Sequence, residues 1–393
     1  MSVNAMSFEQ AATVLNSLYQ QATGEVGLTP TNLADYISVG LKTLQAGYDP
    51  LAMGISQMVS RTIYSIRNYE SKLRVLQRSN EEYGAIVRKI TPLAQDFIDD
   101  DVWHANSPTP NPFAARLPQL WQSNFYGFDV WESDVAITRA ALKNAVMDPG
   151  EMGRLLDLVL GNKSNELEQG RETWERATLA NLIGAIYAMN NTNQVRHLLT
   201  EYNAETGITP PLTSTTVYDP ANYPGFIKWA YAQIGRASDL LTERTSAFHL
   251  NPTSSTILRH TPKRDQLIFV WSKILHDMDA RVLSDTFNTD MVTNEVKPYT
   301  ASLNFWQSLN TPDTVSVTPA YIDGSGAQVT ATAQVVSDVF AIICDRDALG
   351  THYHDQSVDS IWDPRQKRYN YWYHEARRYW CDVTENAILF LLD

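Results

Sequence analysis

The chain has 393 residues, 44% of them apolar and 19% charged, with a formal net charge of −13. That length exceeds what one compact core usually holds, so two lobes or a body with long extensions are expected, most of it folded. The acidic balance argues against a dedicated nucleic-acid binder, which needs a basic surplus to displace counterions from phosphates, and it keeps monomers soluble.

In chain order, Met1 to Gln10 carries no secretory pattern. Ser7 and Gln10 form a capping box ahead of Phe8, Ala11, Val14, Leu15, Leu18 and Tyr19, a helical stripe ending near Gly24. Thr29 and Pro30 cap and open a second helix with Leu33, Tyr36, Ile37, Leu41 and Leu44 on one face, stopped by Gly47. Asp49 and Pro50 start a third, through Met53, Met58 and Ile63. Three short helices with apolar stripes read as an arm lying on another surface.

From Arg61 to Asp101 the texture is different. Arg61, Arg67, Lys72, Arg74, Arg78, Arg88 and Lys89 are spread among short apolar pieces, and the segment turns acidic at Asp96, Asp99, Asp100 and Asp101. An extension with that charge order suits pairing with a neighbouring subunit; the alternative is a solvated surface hairpin. Pro108, Pro110, Pro112 and Pro118 exclude a helix, and Phe125 to Trp131 reads as an aromatic strand. Helices are expected over Asp134–Val146 and Gly150–Leu160. A long one follows, capped by Asn165 with Glu168 and carrying Trp174, Leu179, Leu182, Ile183, Ile186 and Tyr187 on one face.

After a proline-rich loop, the pattern predicts a helix over Phe226–Thr245, a buried strand over Gln266–Trp271 and a helix over Asp279–Phe287. Thr311–Ala333 reads as short strands and loops around a Gly324-Ser325-Gly326 turn, followed by a strand over Val335–Cys344. At the end, Tyr369, Tyr371 and Tyr373 alternate, so they share one face of a strand while Trp372 and His374 take the other. A turn before this strand and the apolar terminal strand after it suggest two long neighbouring strands.

Ten tryptophans and nineteen tyrosines point to extensive interfaces. Chemistry is harder to find. His352 and His354 on a strand would share a face, with Asp347 or Asp355 as oxygen ligands, yet no further His or Cys stands at metal spacing. Cys344 and Cys381 suit core packing in a reducing cytosol rather than a disulfide framework. Acid pairs such as Asp345 with Asp347 and Asp277 with Asp279 are not singled out by position. There is no phosphate-binding loop, dinucleotide fingerprint or nucleophile elbow, and no apolar run reaches the ~18 residues of a membrane span. No catalytic residue, cofactor, metal or membrane partner is assigned.

The residues that carry a signature lie at the end. Pro364-Arg365 precedes the Asn370-Tyr371-Trp372-Tyr373-His374 strand, and Asn386-Ala387-Ile388-Leu389-Phe390 closes the chain. This block resembles the end of the major capsid proteins of small podoviruses, which share the common fold of tailed-phage shells. His260-Thr261-Pro262-Lys263-Arg264-Asp265-Gln266 entering Leu267–Val270, and Tyr83-Gly84-Ala85-Ile86-Val87-Arg88-Lys89-Ile90, are similar to two further parts of that family, in the same order.

The resemblance implies an α+β tailed-phage major capsid fold: an N-terminal arm (1–60), an extended loop (61–120), a peripheral domain with a long spine helix and β-sheet (121–190 and 351–393) and an axial domain (191–350). It implies a structural protein, not an enzyme, that self-assembles into pentamers and hexamers of an icosahedral head enclosing double-stranded DNA. Portal and scaffolding proteins would be partners, the DNA would be touched only weakly and non-specifically, and assembly would take place in host cytoplasm. Candidate subunit contacts are Arg61, Arg67, Lys72, Arg74, Arg78, Arg88, Asp99, Asp100 and Asp101. No scaffolding extension or protease site is visible at the N-terminus, so maturation by cleavage is not expected. A connector or minor head protein is the nearest rival reading, and a carbohydrate-active enzyme using the acid pairs and tryptophans is a more distant one.

Overall fold

The computed structural model describes residues 8–24, 30–45, 70–78, 87–94, 117, 119–125, 128–140, 143, 162–253, 255–282 and 298–393. Helix α1 (Phe8–Thr23) ends at Gly24, whose φ of 75° is open to glycine without penalty. Helix α2 (Leu33–Gln45) packs on it through Leu15, Leu18 and Tyr36, all buried, with the Phe8 and Tyr36 rings 6.0 Å apart. The α2 cap is Asn32 rather than Thr29: its Oδ1 accepts the Asp35 N–H at 2.9 Å. Ser7, the third expected helix over Asp49–Ile63, the four prolines from Pro108 to Pro118 and the expected helix over Gly150–Leu160 lie outside the described residues.

The centre of the molecule is a five-stranded mixed sheet in the order β4 (Val195–His197), β14 (Ala387–Leu391), β11 (Val339–Asp345), β5 (Gln266–Trp271), β6 (Tyr299–Leu303). Its middle strands are apolar on both sides because both faces are covered. Ala387, Leu389 and Leu391 join Leu267, Phe269, Ile342 and Cys344 on one side. That side packs on helix α3 (Asn162–Met189) through Leu179, Leu182, Ile183 and Ile186. Ile388 and Phe390, with Ile268, Val270, Phe340 and Ile343, face the opposite side. There they meet helices α4 (Leu198–Thr206), α5 (Tyr223–Leu240) and α6 (Ser272–Val282) through Tyr202, Phe226, Ile234 and Ile274.

A second sheet, β12 (Leu349–Asp363), β13 (Arg368–Cys381), β3 (Phe128–Thr138), is antiparallel throughout and lies along α3. Tyr369, Tyr371 and Tyr373 are each 4% exposed, and the even-numbered residues Asn370, Trp372 and His374 are more open, as the alternation predicted. Among the described residues there are also three two-stranded pieces: β1 (Val87–Pro92) with β2 (Leu120–Phe125), β7 (Val315–Val317) with β10 (Gln334–Val336), and β8 (Ala320–Ile322) with β9 (Gln328–Thr330).

Several expectations are corrected. Asp134–Thr138 is strand, not helix, and helix begins only at Arg139. Ser133 and Ile137 are buried on one face of a ladder with β13, and tertiary pairing overrides local helical periodicity. The aromatic run Phe125–Trp131 is divided between β2 and β3, which belong to different sheets. Val335–Cys344 likewise breaks at Asp338, where φ is 56°, into β10 and β11. Helix α3 starts at Asn162, one turn before the expected Asn165 cap. The helix after β5 starts at Ser272 rather than Asp279, and residues 283–297 lie outside the described residues. The expected helix over Phe226–Thr245 is α5, shifted to Tyr223–Leu240. The neighbours of β13 are β12 and β3; the terminal strand β14 lies in the central sheet instead.

Candidate functional site

The charged residues proposed for subunit contacts divide into groups. Arg61, Arg67, Asp99, Asp100 and Asp101 lie outside the described residues. Lys72, Arg74 and Arg78 sit on a short segment, 70–78, that plugs the body rather than extending from it. Leu73 and Leu76 are fully buried in the core beside α3, with a 3-10 turn over Arg74–Leu76 between them.

The plug is held by polar bonds as well. Glu175 of α3, itself fully buried, accepts from the Ser71 hydroxyl, from the Gln77 amide at 2.7 Å and from the Tyr353 hydroxyl at 3.2 Å. Burial pushes the Glu175 carboxyl above its ordinary range despite those donors. The Arg78 guanidinium donates to the Arg346 carbonyl and meets Asp347 Oδ1 at 3.1 Å. Arg78 is therefore engaged within its own chain. Arg74 pairs with Glu70 at 3.4 Å on the surface, and Lys72 is exposed.

Arg88 lies on the β1–β2 hairpin, whose two faces differ. Inward, Thr91, Ser123 and Phe125 are buried, and Lys89 Nζ reaches Asp382 Oδ2 at 2.5 Å and Glu385 Oε1. Outward, Arg88, Ile90, Pro92, Leu120 and Gln122 are exposed; Ile90 is 57% and Leu120 60% exposed, and Leu117 is exposed beside them. Lys89 was not among the expected contact residues. The signal was the strand period, which puts Arg88 and Lys89 on opposite faces.

The other candidate chemistry has structural employment. Asp345 accepts the Thr261 hydroxyl at 2.7 Å and the Asp347 N–H at 2.8 Å. Asp277 accepts the Tyr223 hydroxyl at 2.5 Å. His352 is buried at 5% exposure, and the side chain of His354 lies outside the described ones. Among the described residues no three His, Cys, Asp or Glu side chains are grouped to hold a metal ion. A cleft of about 290 Å³ opens behind the hairpin, walled by Phe125, Trp174, Tyr321, Tyr379 and Trp380. Among the described residues that line it there is no carboxylate. Among the described residues no helix is long and apolar enough to cross a membrane.

Residues 15–391 match the family model of the Phi29-like phage major capsid protein. The chain belongs to that family. Its fold is similar to a chain in the structure of head fiber and inner core protein gp22 of native bacteriophage P68 (12% identity, TM-score 0.52, 82% of this chain and 85% of that one). It is also similar to a chain in the capsid structure of Staphylococcus phage Andhra (10% identity, TM-score 0.52, 84% of this chain and 86% of that one). At such identities these likenesses speak for fold alone. No curated protein matches the sequence. The chain is thus a major capsid protein with the tailed-phage capsid fold, a structural component of the virion that assembles with copies of itself.

Proposed function

We propose that this capsid protein forms pentamers and hexamers that close into an icosahedral head around double-stranded DNA, and that the outward face of the β1–β2 hairpin is a principal subunit contact. The observation that carries this reading is the asymmetry of that hairpin. Its inner face is bound to the body by Lys89, while Ile90, Pro92 and Leu120 form an exposed apolar strip beside Arg88. A two-stranded hairpin is marginal in water by itself, and an apolar strip on it gains by being covered. Many modest contacts of this kind sum over a closed lattice.

In this reading residues 1–60 are the arm and 61–120 the extended loop, except that Ser71–Arg78 belongs to the body. The peripheral domain takes 121–190 with α3 and the β12–β13–β3 sheet. The axial domain takes 191–350 together with β14, because β14 sits between β4 and β11. Portal and scaffolding proteins would join during assembly in host cytoplasm. Packaged DNA would slide along an acidic wall instead of adhering to it.

Electron microscopy of the protein expressed alone and with its scaffolding protein tests the proposal. Uniform shells or tubes are expected. Small rings of fixed number would favour a connector, and a monomer under every condition would sink the reading.

A further inference from the structure

The sheet β12–β13–β3 carries its charge unevenly. At one end the turn Pro364–Lys367 joins β12 to β13, and beside it β3 passes into the helix that begins at Arg139. The Arg139 N–H donates to the Lys367 carbonyl at 3.0 Å, so the two segments touch. Among the described residues this end holds five cations, Arg139, Lys143, Arg365, Lys367 and Arg368, and one carboxylate, Asp363. That carboxylate is occupied by its own turn. Its Oδ1 accepts the Arg365 N–H at 3.0 Å and the Gln366 N–H at 3.2 Å, and its Oδ2 lies 3.8 Å from Arg368 Nε. Arg365 and Lys367 are exposed, and no carboxylate of the described residues pairs with either.

The outward face of the same sheet has the opposite sign. The alternation that buries Tyr369, Tyr371, Tyr373, Ser133 and Ile137 turns Trp372, His374, Asp359, Glu132 and Asp134 to the other side. Asp359, Trp372 and Asp134 lie on one rung of the ladder, and His374 and Glu132 share the next rung on that face. The three carboxylates are exposed and Trp372 is half-buried among them, with His374 Nε2 3.9 Å from Asp359 Oδ2. At strand rise these rungs stand about 13 to 20 Å from Arg368. The basic end of one copy therefore cannot reach the acidic face of its own sheet.

We propose that the basic end of this sheet docks on the acidic outward face of the same sheet in a second copy, Arg365 and Lys367 meeting Glu132 and Asp359 beside Trp372. The proposal rests on the reading above that copies of the chain assemble into a shell. End and face are different patches, so the contact is head-to-tail: each copy offers one of each, and a ring closes where the rotation allows. An arginine suits this face, since its fork pairs with a carboxylate and its plane stacks on an indole. A cationic turn is not needed for solubility in a chain of net charge −13, and like charges crowded there repel until an anion covers them. DNA is the poorer occupant, because the carboxylates on the adjoining face repel its phosphates. Each exposed ion pair is weak by itself, so the contact gains its effect by recurring throughout the assembly.

Carbodiimide coupling of assembled particles, mapped by peptide mass spectrometry, tests the contact. A link from Lys367 to Glu132 or Asp359 is expected, and the separation within one sheet means that it must join two copies. No link from Lys367, or links only to carboxylates elsewhere, overturns the proposal. Charge reversal gives a second reading. Arg365→Glu with Lys367→Glu is expected to lower particle yield at least about tenfold, since the mismatch recurs at every copy of the contact. Adding Glu132→Lys and Asp359→Lys swaps both signs and should bring the yield back to within about threefold of wild type. All four side chains are exposed, so melting temperatures should stay at the wild-type value. Undiminished yield from the first pair, or no recovery in a fourfold variant that melts normally, also overturns it; if the fourfold variant does not fold, the wild-type link decides. Should the wild-type protein form no shells, the shell reading fails separately. The same link is then sought in the soluble protein at low salt, where its absence rules out the contact too.

Discussion

Two glycines and one buried acid illustrate how tightly single residues are specified. Gly184, in the middle of α3, faces Val317 of β7, and a Cβ there would run into Val317 Cγ1. Alanine would gain about 1 kcal/mol of helix propensity, but overpacking against a stiff β-branched side chain costs about 1–3 kcal/mol, so the clash outweighs the propensity. Gly350 lies opposite Trp380 in the β12–β13 ladder, and its added Cβ would come within 2.8 Å of Trp380 Cε2. Gly184→Ala and Gly350→Ala are each expected to lower the urea midpoint, and Trp380→Ala should relieve the second substitution in a double-mutant cycle.

Glu175 makes a prediction with a definite sign. Its folded pKa is raised by burial, so its contribution to stability is present in acid and is lost as pH rises through the folded value. The melting temperature of Glu175→Gln relative to wild type should therefore climb from about pH 4 upward, read by thermal melts across pH. A difference that is flat or falls with pH would show that Glu175 is not the buried neutral acid described. Cys344 and Cys381 are fully or nearly fully buried, and burial raises both thiols, Cys381 to about 12. Both should resist thiol reagents until the protein is unfolded, as the core placement read from sequence implies.

At the scale of elements, the plug and the hairpin have opposite roles and separable tests. Leu76→Ala removes a fully buried side chain from the core beside α3 and should cost about 2–5 kcal/mol in unfolding free energy. Ile90→Ser with Leu120→Ser removes only exposed apolar surface. Unfolding should then stay within about 0.5 kcal/mol of wild type, while particle yield by electron microscopy drops sharply; normal particle yield would remove the hairpin from the list of contacts. Charge reversal at Lys72 and Arg88, both exposed, is the cleaner electrostatic test, since reversing Arg78 would break its bond to Asp347 within the chain.

The same elements show what was readable beforehand. The tyrosine alternation in β13 was legible because one face of a long strand is buried and the other is not. The end of β3, Asp134–Thr138, was misread as helix because Val135, Ala136 and Ile137 fit either period, and only their pairing with β13 decides between them. Arg78 looked like the exposed basic residues around it. Its engagement depends on Arg346 and Asp347, more than 250 positions away.

For the whole molecule, the two-sided burial of the central sheet joins α3 on one face and helices α4 to α6 on the other into one core. The acidic chain, with a net charge of −13, is expected to show no retention of double-stranded DNA in a mobility-shift assay at physiological salt, because its 44 acidic residues outnumber the 31 basic ones that could release counterions. Tight, salt-dependent retention would contradict the passive inner wall proposed above.

Composition and local pattern were enough, by themselves, to determine several things about this capsid protein. They set its acidic character, its long α3 helix, its strand-rich end and, through Pro364–Phe390 with the segments around Tyr83–Ile90 and His260–Val270, its family resemblance. Those properties depend on side chains close together in sequence. Tertiary structure alone decided which strands are neighbours, that β14 enters the central sheet instead of following β13, that Ser71–Arg78 plugs the core, and that Lys89 rather than Arg88 faces Asp382 and Glu385. Each of these depends on pairing or charge contact between residues far apart in the chain, and such contacts leave no local period to read.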